Sequence, residues 1–187
     1  MKILVISGSP QPGSRTSAVA SLATAVLRHS GAETTLWDLQ RRPLPLFDPA
    51  FHDNPWTHPH PDVRELVSEA DSADGFVLAS PVYHNSYSGI IKNCLDHLSM
   101  DHFEYKPVGL IAYGGSMAAV QVCDHLRTVV RGLRGIALPT QVIAVGGDLA
   151  PGDNGRPHVA PALVQRLRQL AGELERFTVA AAERSPA

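Results

Sequence analysis

The stretch Ser7-Gly8-Ser9-Pro10-Gln11-Pro12-Gly13-Ser14-Arg15-Thr16-Ser17 carries the densest capacity for chemistry in the chain. The hydroxyls of Ser9, Ser14, Thr16 and Ser17 can donate hydrogen bonds, and Arg15 can add a forked, charge-assisted contact. The stretch follows an apolar run at 3–6 that reads as a buried parallel strand, and it precedes 18–27, which reads as a helix. A helix start presents unpaired N–H groups and a partial positive charge. Strand, Gly/Ser loop and helix start together therefore suit a phosphate group. The G-x-G-x-x-G and G-K-[ST] spacings are absent, and the loop has no Cys to act as a phosphatase nucleophile. The plain alternative is a strand-to-helix turn capped by Ser.

Two further stretches share this placement after an apolar run. Pro81-Val82-Tyr83-His84-Asn85-Ser86-Tyr87-Ser88-Gly89 offers two Tyr rings, a His, an Asn and backbone amides to the edge of a flat heteroaromatic ring. Tyr113-Gly114-Gly115-Ser116 carries no bulk at its glycines, so a planar ring could approach the backbone closely. A phosphate at one end and a planar polar aromatic at the other describe a flavin mononucleotide. Against this, Tyr83 and Tyr87 could simply cap a sheet edge, and Gly114-Gly115 could be only a tight turn.

The elements that must position these loops follow from the pattern. Strands are expected at 2–7, 33–37, 75–80, 108–113 and 137–145, the last opened by Pro139. Helices are expected up to about 29 or 30, where Gly31 stops the first, and at 62–71, 90–99, 117–134 and 159–181. Residues 146–158 read as a loop and 182–187 as a frayed tail. Five alternations of strand and helix predict an α/β fold, a five-stranded parallel sheet in the flavodoxin-like order 2-1-3-4-5, with helices on both faces. Ligands of such sheets bind beyond the carboxyl ends of the strands, where the first, third and fourth exit loops are neighbours. Residues 40–61 carry six prolines, which exclude a helix or a central strand there. Leu44, Leu46, Phe47, Phe51 and Trp56 give that segment apolar surface to cover a pocket, meet another subunit or pack on its own body.

With 187 residues, one domain over 1–187 is expected. The net charge of −2, with both signs interspersed, argues against nucleic-acid binding. No apolar run reaches membrane-spanning length, so a cytoplasmic location is expected. Cys94 and Cys123 form no C-x-x-C pair and read as buried thiols. Nine His invite a metal, yet no H-E-x-x-H or Cys/His spacing occurs, and none is expected.

The first stretch resembles the phosphate loop of the NAD(P)H-dependent FMN reductase family. The run Pro81-Val82-Tyr83-His84-Asn85-Ser86-Tyr87-Ser88-Gly89-Ile90-Ile91-Lys92-Asn93-Cys94-Leu95-Asp96 resembles that family's P-x-Y-…-S-G-x-L-K-…-L-D segment. The likeness covers about residues 1–145 and looks closest to the alkanesulfonate-system branch, though 120–126 lack that branch's inserted aromatic residue. The resemblance implies FMN as cofactor and NADPH or NADH as co-substrate. Ser9, Gln11, Ser14, Arg15, Thr16 and Ser17 would lie at the phosphate, with Arg15 standing in for the basic residue the family often carries where Gln11 is found. Pro81, Val82, Tyr83, His84, Asn85 and Ser86 would line the isoalloxazine ring, with backbone amides near its oxygens. Gly114, Gly115 and Ser116 would meet its other side. It further implies hydride transfer from nicotinamide to flavin with no catalytic side chain. Reduced flavin then serves an acceptor: free flavin, a quinone, an azo compound, a metal oxyanion or a partner monooxygenase. A homodimer or homotetramer is implied, with Lys92 and Asp96 on a helix that meets a neighbouring subunit or solvent.

Two rivals come from other classes. Gly114-Gly115-Ser116-Met117-Ala118 imitates a nucleophile elbow, with Asp148 and His158 following in hydrolase order. A flavodoxin-like electron carrier would share the fold without the enzymatic step, but such carriers tend to be strongly acidic.

Overall fold

The computed structural model describes residues 1–150 and 158–182. Residues 151–157 of the expected loop and 183–187 of the expected tail lie outside the described residues. Five parallel strands, β1 (Lys2–Ser7), β2 (Glu33–Asp38), β3 (Gly75–Pro81), β4 (Pro107–Gly114) and β5 (Ile136–Val145), form one sheet in the order β2-β1-β3-β4-β5. That is the expected flavodoxin-like order, and it puts the switch point between β1 and β3.

Near-continuous apolar runs let the central strands bury both faces. On one face Ile3, Val5, Val77 and Ile111 pack against α1 (Arg15–His29) and α6 (Pro161–Ala182). On the other, Leu4, Ile6, Phe76, Leu78 and Leu110 pack against α2 (Pro61–Ser72), α3 (Gly89–Asp96), α4 (Met100–Phe103) and α5 (Val120–Gly132). Phe76 and Phe103 stack there with centroids 4.0 Å apart. Among the described residues no helix is long and apolar enough to cross a membrane, and no group of three or more His, Cys, Asp or Glu could hold a metal ion.

Several boundaries differ from expectation. Helix α1 begins at Arg15 rather than near 18, because Ser14 caps it. The helix expected over 90–99 ends at Asp96, and a separate turn, α4, restarts at Ser99, where His102 Nδ1 accepts from Ser99 N at 2.9 Å. The helix expected over 117–134 opens with a 3₁₀ turn, Met117–Ala119. Pro139 opens a bulge in β5, an edge strand, where the register shifts against Val108 and Leu110. Glu173 of α6 closes it by accepting from Thr140 N and Oγ1 at 2.8 and 3.0 Å. Where a loop over 146–158 and a helix start at 159 were expected, a two-residue antiparallel ladder joins β6 (Leu149–Ala150) to β7 (His158–Val159), and α6 starts at Pro161, whose fixed φ suits a first helical position.

The Pro-rich segment packs on its own body. Asn93 of α3 accepts from Phe47 N and donates to Pro45 O, both at 2.8 Å, and His97 Nε2 reaches Pro45 O at 3.0 Å. Edge-to-face contacts run Phe47–His97–His58–Phe51. Leu46 and Trp56 remain exposed.

Candidate functional site

The loop after β1 is tied to the loop after β3 by backbone that only small residues allow. Gly8 N donates to Ala79 O at 2.7 Å, and a Cβ on Gly8 would stand 2.7 Å from Ile91 Cβ. Glycine thus lets α3 come against the first loop. Ser88 caps α3: its hydroxyl donates to Gly8 O and accepts from Ile91 N, while its N–H donates to Ser80 Oγ at 3.0 Å. The second and third loops are joined in the same way. Val82 N donates to Tyr113 O at 2.9 Å, and a Cβ on Gly114 would meet Val82 Cγ1 at 2.6 Å and Ala119 Cβ at 2.9 Å. The first and third loops meet where Arg15 Nη1 donates to Tyr113 OH at 2.9 Å.

The start of α1 is built for negative charge. Gly13, at φ 65°, turns the chain into the Ser14 cap, whose Oγ accepts from Ser17 N at 3.0 Å. The first bond of the helical ladder runs from Ala18 N to Ser14 O, so the N–H groups of Arg15 and Thr16 precede it. No acidic residue occupies the first turn, which leaves the helix pole and the Arg15 guanidinium as the local charges.

Ser9, Gln11, Gly13, Ser14, Arg15, Thr16, Pro81, Val82, Tyr83, Tyr113, Gly114 and Gly115 line one cavity of about 390 Å³. That volume falls within the range of small-molecule sites, about 300–1,000 Å³, and no carboxylate is among its walls. Three stretches far apart in sequence therefore converge. Gly13 and Tyr113 were not among the expected site residues. Tyr113 carried one signal, a hydroxyl-bearing ring at the last position of an otherwise apolar strand.

Five expected residues stand behind or beside the wall. Ser17 turns inward, its Oγ between those of Ser7 and Ser14 at 3.0 and 3.1 Å. His84 and Asn85, at φ 49° and 62°, are the exposed corners of a turn closed by Tyr83 N to Ser86 O and Ser86 N to Tyr83 O, at 2.9 and 3.0 Å. Two successive left-handed residues mark a type I′ turn, which Asn tolerates and His adopts at a cost. Ser86 Oγ lies 3.0 Å from His125 Nδ1, which ties this turn to α5. Ser116 caps the 3₁₀ turn by accepting from Ala118 N at 3.3 Å. Backbone amides of this stretch were expected near a ring; those of Val82 and Tyr83 are taken by Tyr113 O and Ser86 O.

The hydrolase reading loses its acid. Asp148 accepts from Val145 N at 2.9 Å and from Arg166 Nη2 at 2.7 Å, so both carboxylate oxygens serve the local fold, and His158 is exposed on β7. The cysteines are buried and away from the cavity. Burial pushes the Cys123 thiol up to about 12 and Cys94 higher still, so neither is a nucleophile.

The sequence pattern of the family described as NADPH-dependent FMN reductase matches residues 1–149. An FMN-dependent NADPH-azoreductase of Staphylococcus aureus is 41% identical over 155 residues, which span 83% of this chain and 82% of that protein. An oxidoreductase from Corynebacterium diphtheriae superposes with a TM-score of 0.71 at 25% identity, over 96% of this chain and 97% of its own. The apo form of an NADH:FMN oxidoreductase superposes with a TM-score of 0.68 at 26% identity, over 96% and 89%. The match is to the family as a whole. On the family pattern over residues 1–149 and a relative 41% identical across most of both chains, the chain belongs to the NADPH-dependent FMN reductase family and is an FMN-dependent NAD(P)H oxidoreductase.

Proposed function

We propose that FMN lies in the 390 Å³ cavity with its phosphate at the start of α1 and its ring between the second and third loops. Ser9, Gln11, Ser14, Arg15 and Thr16 form the phosphate end; Pro81, Val82, Tyr83, Gly114 and Gly115 form the ring end. Ser17, His84, Asn85, Ser86 and Ser116 act from behind, holding the cap and the turns in shape. Bound FMN supplies the redox chemistry, taking a hydride from NAD(P)H and passing electrons on. The chain's part is positional: it anchors the phosphate, fixes the ring's edge against rigid backbone and leaves one face open. Gly115 is the floor of that opening, since a Cβ there would meet nothing within 4 Å. The observation that carries this reading is the convergence of three stretches, each stitched to the other two by a named hydrogen bond.

The acceptor we infer is a flat aromatic compound of the azo or quinone type. The open mouth is bordered by Tyr83, 41% exposed, and Met117, 65% exposed, lies two residues past Gly115. The exposed Tyr83 ring offers such a compound a face to stack on. The similar S. aureus protein is named an azoreductase, which supports this acceptor over a partner monooxygenase. Flavin-free protein is titrated with FMN and riboflavin, then assayed for NADPH and NADH oxidation with an azo dye, a quinone or free FMN as acceptor. FMN is expected to bind at least tenfold tighter than riboflavin, because charged hydrogen bonds contribute about 1.5–3 kcal/mol each. Equal affinity would place the phosphate elsewhere. Turnover with free FMN alone would remove the aromatic acceptor.

We further infer that the chain acts as a single domain in a homodimer or homotetramer. Supporting this are exposed Leu46 and Trp56 and a second cavity of about 470 Å³ walled by Phe47, Leu95, Leu98 and Leu133 beside the Lys92–Asp96 pair. A monomeric mass by light scattering would end that reading.

A further inference from the structure

Tyr113 occupies the end of β4, and the alternation of that strand decides which way it faces. Leu110 and Ala112 belong to the core under α5, whereas Ile111 and Tyr113 pack on the side of α1 and α6. The ring is half-buried against that core and the strand is fixed on both sides, Tyr113 pairing with Pro81 and with Ala144. From this rigid base the hydroxyl reaches Arg15 Nη1. Among the described residues Tyr113 is the one side chain that Arg15 hydrogen-bonds. A Cβ on Gly146 would stand 3.7 Å from Arg15 Nη1, so the guanidinium lies beside the backbone that leaves β5. Arg15 is otherwise exposed, and a free Arg side chain gives up rotamer freedom when a ligand orders it.

We propose that Tyr113 is a positioning residue that holds the Arg15 guanidinium at the phosphate end of the cavity before FMN arrives. The tyrosine oxygen takes one of the five guanidinium N–H donors and leaves the others for phosphate oxygens. The cost of ordering the side chain is thereby met in the free protein, which is the physical meaning of preorganisation. This inference rests on the placement of the FMN phosphate at the start of α1.

The test is a set of FMN and riboflavin dissociation constants for the native chain, Tyr113→Phe, Arg15→Ala and the double variant. Tyr113→Phe keeps the ring and its packing, and the melting temperature of the flavin-free protein checks that. The expected result is about a fivefold loss of FMN affinity in Tyr113→Phe, riboflavin affinity within twofold of native, and no further loss when Tyr113→Phe is added to Arg15→Ala. Unchanged or tighter FMN binding in Tyr113→Phe, a matching loss for riboflavin, or full additivity with Arg15→Ala would overturn the proposal. A loss common to both flavins in Arg15→Ala would overturn the phosphate placement, and with it this role. A loss in Arg15→Ala confined to FMN, beside a native-like Tyr113→Phe, would overturn the role of Tyr113 alone.

Discussion

Adjacent glycines at 114 and 115 should differ in what the same added methyl group does to stability. At Gly114 a Cβ would sit 2.6 Å from Val82 Cγ1 and 2.9 Å from Ala119 Cβ, well inside the roughly 3.5–4.0 Å of a relaxed carbon contact. Neither neighbour can yield cheaply: Ala119 is fully buried, and Val82 is pinned through its N–H to Tyr113 O. Overpacking of this kind costs about 1–3 kcal/mol, which for a chain of this size lowers Tm by roughly 2–12 °C. Because the displaced residue is Val82, a cavity wall, FMN affinity falls as well. At Gly115 a Cβ meets nothing within 4 Å, and the backbone there is outside the left-handed region. Gly115→Ala should therefore melt within about 1 °C of native by the same scaling while narrowing the space for a ring and weakening FMN. Thermal melting of the flavin-free proteins, paired with FMN titration, separates the two. A native-like Tm for Gly114→Ala, or equal Tm losses at both positions, would refute the reasoning.

Two buried histidines should make the fold acid-sensitive. His58 and His102 each accept a backbone N–H at Nδ1, from His60 at 3.1 Å and Ser99 at 2.9 Å. Burial is the main cause holding both below the ordinary 6.5, and His97 and His60 add to it at His58. Between 6.5 and those lowered values the unfolded chain binds more protons than the folded one, so stability is full above that window and is lost as pH falls through it. Urea midpoints from pH 7.5 to 5 should decline, with a shallower slope in His58→Gln; an unchanged slope would contradict this. The raised Cys94 and Cys123 thiols should resist alkylation at pH 8 in the native protein and react fully in denaturant, a mass-spectrometric count that one native adduct would spoil.

The sheet order was legible because buried parallel strands write themselves as apolar runs and their crossovers as helical periods. The sites of the three loops followed from topology, since strand ends at a switch point are neighbours by construction. What could not be read was which side chains face inward. Ser17 belongs to the same Ser-rich run as Ser14, yet one turn of helix directs it at Ser7 instead of the cavity. The left-handed backbone of His84 and Asn85 puts them at an exposed corner, a geometry that a His-Asn pair announces far less clearly than Asn-Gly would. Tyr113 stood in the third stretch without a role of its own, and its link to the first loop came only from a contact 98 residues away in sequence. The anchoring of the Pro-rich segment by Asn93 and His97 was hidden for the same reason: a helix surface that looks amphipathic does not say what its polar residues will hold.

The measurement that bears most directly on the flavin placement is a crystal structure of the protein soaked or co-crystallised with FMN. The account predicts the phosphate within hydrogen-bond reach of the Arg15 and Thr16 N–H groups and the ring against Pro81, Val82 and Gly115. A ring at the start of α1, or FMN held away from these three loops, would contradict it.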